Sequence, residues 1–216
     1  MTQTFSRQAQ LFIKLVLLGG VGGVVVAALA WKATTARPYA QGEPVVQPVP
    51  FSHKHHVADD GIDCRYCHTG VETDAFAGMP PLSTCMTCHS QLYTDEPVLA
   101  PLIAAWTEDT PLPWRRVHDL PDFVYFDHSA HVTHGVGCSS CHGRVDRMPL
   151  TWRAAPLTME WCLDCHRRPE RHLRPADAVF DMAWTPPPDQ LRRGRELAAH
   201  YRIDRDRLIE CSTCHR

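Results

Sequence analysis

The residues best able to do chemistry in this chain are its cysteines and histidines. Ten cysteines among 216 residues form five C-x-x-C pairs with none left over, and a histidine follows each pair directly. The five sets are Cys64, Cys67 and His68; Cys85, Cys88 and His89; Cys138, Cys141 and His142; Cys162, Cys165 and His166; Cys211, Cys214 and His215. C-x-x-C-H is the attachment signal for c-type haem: the two thiols bond to the porphyrin vinyl groups, and the adjacent imidazole supplies one axial iron ligand. With 14 histidines in the chain, five such placements would arise by chance on the order of once in a million. Zinc knuckles and redox dithiols also use C-x-x-C, but neither requires histidine at one fixed offset five times over. The motifs predict five covalently bound haem c groups.

Nine histidines remain for at most five distal positions. His53 and His56 are three residues apart, as are His128 and His131, so on a helix each pair shares a face and can serve two irons on that side. Each pair sits in F-x-H-x-x-H, headed by Phe51 or Phe126, and precedes a C-x-x-C-H motif. That order resembles class III cytochromes. The resemblance implies that the first histidine binds the nearest haem, His53 at motif one and His128 at motif three, while His56 and His131 reach other haems. One distal place is left for His118, with Met148 and Met159 as thioether alternatives that would raise the reduction potential. Met159 stands three residues before Cys162 and cannot reach around its own haem, and core packing remains open for either methionine. His55, His134, His172 and His200 read as surface or propionate-contacting residues. Arg65, Arg144 and Arg167 read equally as propionate partners or as solvated charges. With this surplus of distal ligands every iron is expected to be six-coordinate and to pass single electrons, and the sequence shows no catalytic residues, phosphate loop, dinucleotide fingerprint or nucleophile motif.

Five haems served by about 180 residues outside the membrane leave roughly 35 residues per cofactor, too few for an ordinary apolar core around each. The expected fold is mainly irregular, with short α-helices at the attachment motifs, very little sheet, a haem-filled core and one N-terminal transmembrane helix. The 18 prolines argue the same way, since proline breaks regular elements. The soluble part reads as a duplicated two-haem unit, 51–89 and 126–166. Met79-Pro80 and Met148-Pro149 recur before motifs two and four, and a fifth haem is appended in 189–216. Local signals add a short helix around 99–106, an Asp189-capped helix over 190–201 and an Asp204-capped final turn.

Residues 11–31 are apolar except for Lys14 and long enough to span a bilayer. A retained anchor is favoured over a cleaved secretory signal, although Ala28-Leu29-Ala30 has the small residues of a cleavage site. Flanking charges set orientation poorly; haem attachment takes place on the periplasmic side, so residues 1–10 are expected in the cytoplasm and 51–216 in the periplasm, joined to the anchor by a Pro-rich linker over 32–50. Gly19 and Gly23 offer a small-residue face to another membrane helix. Net charge is −2 and the isoelectric point about 6.7, without the basic excess that nucleic-acid binding would call for.

The anchor, the five motifs and the segments PFSHKHH, GIDCRYCHTGVE, GVGCSSCHGRVDRMPL, MEWCLDCHRRPE and above all RVHDLPDFVYFDHSAH resemble the pentahaem cytochrome c subunit of bacterial alternative complex III. The resemblance implies an electron-carrying, non-catalytic subunit of a quinol:electron acceptor oxidoreductase in the bacterial inner membrane. Its implied partners are an iron–sulfur protein, polytopic quinol-site subunits and a monohaem cytochrome c, with a periplasmic cytochrome c or copper protein as acceptor. Two other classes stay open: a stand-alone membrane-anchored multihaem quinol dehydrogenase, and a periplasmic multihaem reductase with one five-coordinate haem.

Overall fold

The computed structural model describes residues 6–36 and 41–215. Two compact units divide the chain between Ala40 and Gln41. The first holds one helix, α1 (Arg7–Ala36). Within Arg7–Ala33 an 18-residue window reaches a mean hydropathy of 2.3, and none of that window is buried. A helix of this length with apolar side chains on every face fits a single-pass membrane anchor.

The second unit is mostly irregular. Its helices are α2 (Cys64–Cys67), α3 (Leu82–His89), α4 (Ala100–Thr107), α5 (His128–Thr133), α6 (Ser139–His142), α7 (Met159–Arg167), α8 (Gln190–His200) and α9 (Cys211–Cys214). Among the described residues there is no strand, only isolated antiparallel bridges between Pro44 and Trp152 and between Val136 and Leu173. Eleven apolar side chains are buried among the described residues, far fewer than a chain of this size needs to hold itself together. One small cluster gathers Val49, Leu99 and Leu102 against Leu82, Met86, Leu112 and Trp114. A second region is closed by α8. Gln190 Nε2 donates to the carbonyls of Glu170 and Leu173, and Gly194 lets the helix approach so closely that a β-carbon there would lie 1.8 Å from the Glu170 carbonyl oxygen.

Three local expectations need correction. The Pro-rich stretch is not a free linker as far as residue 50: from Gln41 onward it packs on the second unit, while 37–40 lie outside the described residues. Gln47 pairs through its amide with both the N–H and the carbonyl of Arg115, and Val49 is buried in the apolar cluster. Asp189 precedes α8 but makes no capping hydrogen bond, because its carboxylate is taken by Arg192 and Arg193. His53 and His56 lie at the start of a single π-helical turn, Lys54–Asp59, rather than on an α-helix. Asp204 accepts from the N–H groups of Asp206 and Arg207, one turn ahead of the final helix, and α9 itself has no side-chain cap.

Candidate functional site: paired imidazoles

Each C-x-x-C-H forms or ends a helical turn. At motifs one, three and five the histidine N–H bonds back to the carbonyl of the first cysteine at 2.9 Å, and motifs two and four close α3 and α7. One turn therefore brings cysteine i, cysteine i+3 and histidine i+4 to one face, the arrangement that two thioethers and an axial ligand require. Asp63 fixes the first of these turns by accepting from the Arg65 N–H, and Thr158 caps α7 through the Trp161 N–H.

A histidine that binds metal through Nε2 donates its Nδ1–H to an acceptor, which sets both tautomer and ring orientation. Four proximal candidates are arranged so. His68 Nδ1 lies 2.8 Å from the Gly78 carbonyl oxygen, His89 3.2 Å from that of Leu92, His166 2.9 Å from that of Leu208 and His215 3.0 Å from that of Phe123. The distal candidates follow the same rule. His56 Nδ1 donates to the Ser52 carbonyl at 2.9 Å, His131 to that of Asp127 at 2.6 Å and His128 to that of Ala75 at 2.9 Å, while His53 reaches the Thr151 hydroxyl at 2.9 Å.

The rings then meet in pairs. Two imidazoles on opposite sides of one iron, each about 2.0 Å away through nitrogen, hold their centres about 6.3 Å apart. The centres lie 6.2 Å apart for His56 and His89, 6.1 Å for His131 and His166, and 6.4 Å for His128 and His142. His53 sits near His68, whose charge opposes protonation of its ring. His118 lies edge-on to His142 at 4.3 Å, too close for one iron between them, and its Nε2 is buried with no hydrogen-bond partner.

Ligation also requires neutral imidazoles. Burial holds His53 at about 4, helped by the neighbouring His68. It holds His118 at about 4, helped by the Arg153 guanidinium, and His142 at about 3, helped by His118 and His128. His131 is lowered by burial as well. The thiols are shifted in the opposite direction to reactive ones: burial raises Cys138 and Cys165 to about 11 and Cys141 to about 12. A redox dithiol depends on a lowered thiol pKa. Among the described residues, no three histidine, cysteine or acidic side chains gather around a common point as a zinc site would need.

The remaining candidates divide clearly. Met148 is almost fully buried and packs near Gly143. Met159 stands exposed at the start of α7. Arg65 is engaged by Asp63 and lies over the Phe180 ring, and Arg144 is engaged by Asp146. The backbone acceptors and the Thr151 hydroxyl had no sequence signal, since any residue supplies a carbonyl. Phe51 and Phe126 did have one, as heads of the duplicated pattern. They stack on His56 and His131 at 4.5 Å in both repeats.

Five C-x-x-C-H turns and imidazoles paired at about 6 Å are the arrangement that a multihaem c-type cytochrome requires. Residues 30–110 match the class III cytochrome c family. Over 123 residues the chain is 37% identical to the menaquinone reductase multihaem cytochrome c subunit of Nitratidesulfovibrio vulgaris strain Hildenborough; the alignment takes in 56% of this chain and 56% of that protein.

Proposed function

We propose that this chain carries five haem c groups and serves as the electron-transfer subunit of a quinone-linked complex in the bacterial cytoplasmic membrane. In this reading α1 is the anchor and residues 41–216 lie in the periplasm. His68, His89, His142, His166 and His215 are the proximal ligands. His53 serves with His68, His56 with His89, His128 with His142 and His131 with His166, and His118 supplies the fifth distal imidazole. The observation that carries the reading is the set of three histidine pairs at the separation that one shared iron requires.

Bound haem c supplies a reversible one-electron carrier at each site. The chain's own groups hold each imidazole neutral, turn its Nε2 inward and fix its angle. Imidazoles on both faces of four irons leave those four without an open coordination position, which favours a relay over a periplasmic reductase. The resemblance to alternative complex III supports quinol as electron source, with iron–sulfur, polytopic and monohaem subunits as partners and a soluble cytochrome or copper protein as acceptor.

The test is mild detergent extraction, native electrophoresis with haem staining, mass spectrometry of the band, and quinol oxidation by it. Co-migration with an iron–sulfur protein and polytopic subunits, and five haems per chain, supports the proposal. A lone haem-stained band that oxidises quinol would replace it with the stand-alone dehydrogenase.

The Nitratidesulfovibrio relative favours a second reading of direction, because its name assigns it to a menaquinone reductase. Electrons would then enter from a periplasmic donor and end on quinone. Supplying the isolated complex with reduced cytochrome and a menaquinone analogue, against quinol and oxidised cytochrome, separates the two.

A further inference from the structure

The duplicated units match closely around their distal histidines. Phe51 meets His53 edge-on at 4.9 Å and 87°, and Phe126 meets His128 at 4.7 Å and 89°. Phe51 and Phe126 stack on the second histidine of each pair at interplanar angles of 22° and 27°. His56 and His131 each donate from Nδ1 to the carbonyl four residues earlier. Besides the π-helical turn that stands where the second repeat has α5, the repeats differ in the hydrogen bond of the first histidine. His128 Nδ1 faces the Ala75 carbonyl at 2.9 Å, whereas His53 Nδ1 faces the Thr151 hydroxyl at the same distance.

The two acceptors differ in kind. A carbonyl can only accept, so it fixes the tautomer with Nε2 unprotonated. A hydroxyl either accepts or donates, and only the accepting arrangement leaves the Nε2 lone pair for metal. A hydroxyl is also the weaker acceptor. The stronger the bond from Nδ1–H, the more electron density the imidazole gives to its metal and the more the oxidised metal is favoured. Thr151 is held in place by its own backbone: its carbonyl accepts from the Val45 N–H at 3.2 Å, and the Arg153 carbonyl accepts from the Gly42 N–H at 3.0 Å. The Gln41 side chain ties the same segment at Ala154.

We infer that Thr151 is a positioning residue that orients His53 and, through the weaker hydrogen bond of its hydroxyl, sets the first repeat's distal imidazole apart from its twin, giving the haem bound by His53 a higher reduction potential than the Ala75-type acceptor would. This rests on the reading of His53 as a distal ligand. A side chain is a tunable acceptor where a carbonyl is not, so the difference between repeats is open to substitution.

The test uses the full chain in its native membranes, with potentiometric titration followed by haem absorbance and with ferric low-spin resonance spectra. Thr151→Val removes the acceptor and should raise the potential of one haem wave while the others and the haem count stay fixed. Thr151→Asn offers an amide carbonyl, a stronger acceptor, and should lower the same wave; Thr151→Ser should restore the native value. Opposite shifts from Val and Asn are not what a loss of packing produces. Unchanged waves in both variants, shifts of the same sign, or movement of all waves together would overturn the inference. His53→Met separates the two levels. If it alters one low-spin signal while the Thr151 variants alter none, the ligand stands and the role of Thr151 falls. If it alters no signal, the ligand reading and this inference fall together.

Discussion

The Nδ1 of His166 lies 2.9 Å from the carbonyl oxygen of Leu208, 42 residues further along the chain. The acceptor belongs to the turn that leads into motif five, so the fifth motif helps to orient the imidazole of the fourth. The dependence runs onward, since His215 Nδ1 takes the Phe123 carbonyl and the Cys214 carbonyl accepts from the Tyr125 N–H. A double substitution of Cys211 and Cys214 to alanine should therefore do more than remove one haem. Mass spectrometry is expected to find one haem fewer, and resonance spectra to show a second signal shifted, from the site of His166. A clean loss of one signal with the rest unmoved would mean that the sites are independent.

The matched geometry of the two repeats makes a paired prediction. His56→Ala and His131→Ala each remove an imidazole about 6 Å from a proximal partner. In each variant one iron should pass from low-spin to high-spin while covalent attachment, through separate thioethers, leaves the haem count unchanged. Spectra of the two variants are expected to be alike, because Phe51 and Phe126 stack on these rings in the same way. His55→Ala is the control: His55 is half exposed beside Asp60, and its removal should leave every signal in place.

The local shape of each C-x-x-C-H turn could be read in the sequence, because residue type and spacing fix it. Cys64 through His68 must fill one helical turn, and the spacing of His128 and His131 marks a helical face that the structure keeps in α5. What could not be read depends on the tertiary path. Gly78, Leu92, Leu208 and Phe123 matter here through their carbonyls, which every residue possesses. The prolines before residue 50 suggested a spacer, yet Gln47 mimics a peptide group against Arg115 and Val49 enters the core. Asp189 had the right type for a cap, but two arginines one turn later compete for its carboxylate.

Helix α8 depends on a missing side chain. A β-carbon at Gly194 would lie 1.8 Å from the Glu170 carbonyl oxygen and 2.6 Å from its carbon, so Gly194→Ala must push the helix off the turn at Pro169–Arg171. Overpacking of this kind costs about 3 kcal/mol, partly offset by the better helix propensity of alanine, worth about 1 kcal/mol. Denaturant unfolding of the haem-loaded protein should show the loss. A change below roughly 0.5 kcal/mol, the range of neutral surface substitutions, would mean that α8 docks loosely.

Asp63 carries a pH dependence whose sign is fixed by its partner. The hydrogen bond from the Arg65 side chain lowers its carboxyl from 3.8 to about 2. The folded value lies below the unfolded one, so the stabilisation is complete above about pH 4 and disappears as pH falls through about 2. The group is largely solvated, with 47% of its side chain exposed, and screening reduces the effect to below about 1 kcal/mol. Asp63→Asn should flatten the acid limb of the stability profile between pH 4 and 2 while changing little at pH 7 beyond the loss of the Arg65 contact. An unchanged acid limb would place the acid sensitivity elsewhere.

The small number of buried apolar side chains predicts how the chain behaves without its cofactor. Leu173 and Val179 are the largest fully buried side chains, and the apolar cluster around Val49 includes Cys85 of motif two. Burial of this extent returns too little free energy to offset the conformational entropy of about 175 ordered residues, at roughly 1–2 kcal/mol each for the backbone alone. In the proposed reading haem supplies the rest, as metal does for small metal-binding domains. The chain made in a host that lacks the haem-attachment machinery should therefore reach the membrane through α1 but remain protease-sensitive beyond residue 41, whereas the haem-loaded chain resists. Limited proteolysis of both forms, with α1 as the internal standard, measures the difference. A protease-resistant haem-free domain would show that the polypeptide alone encodes a stable core.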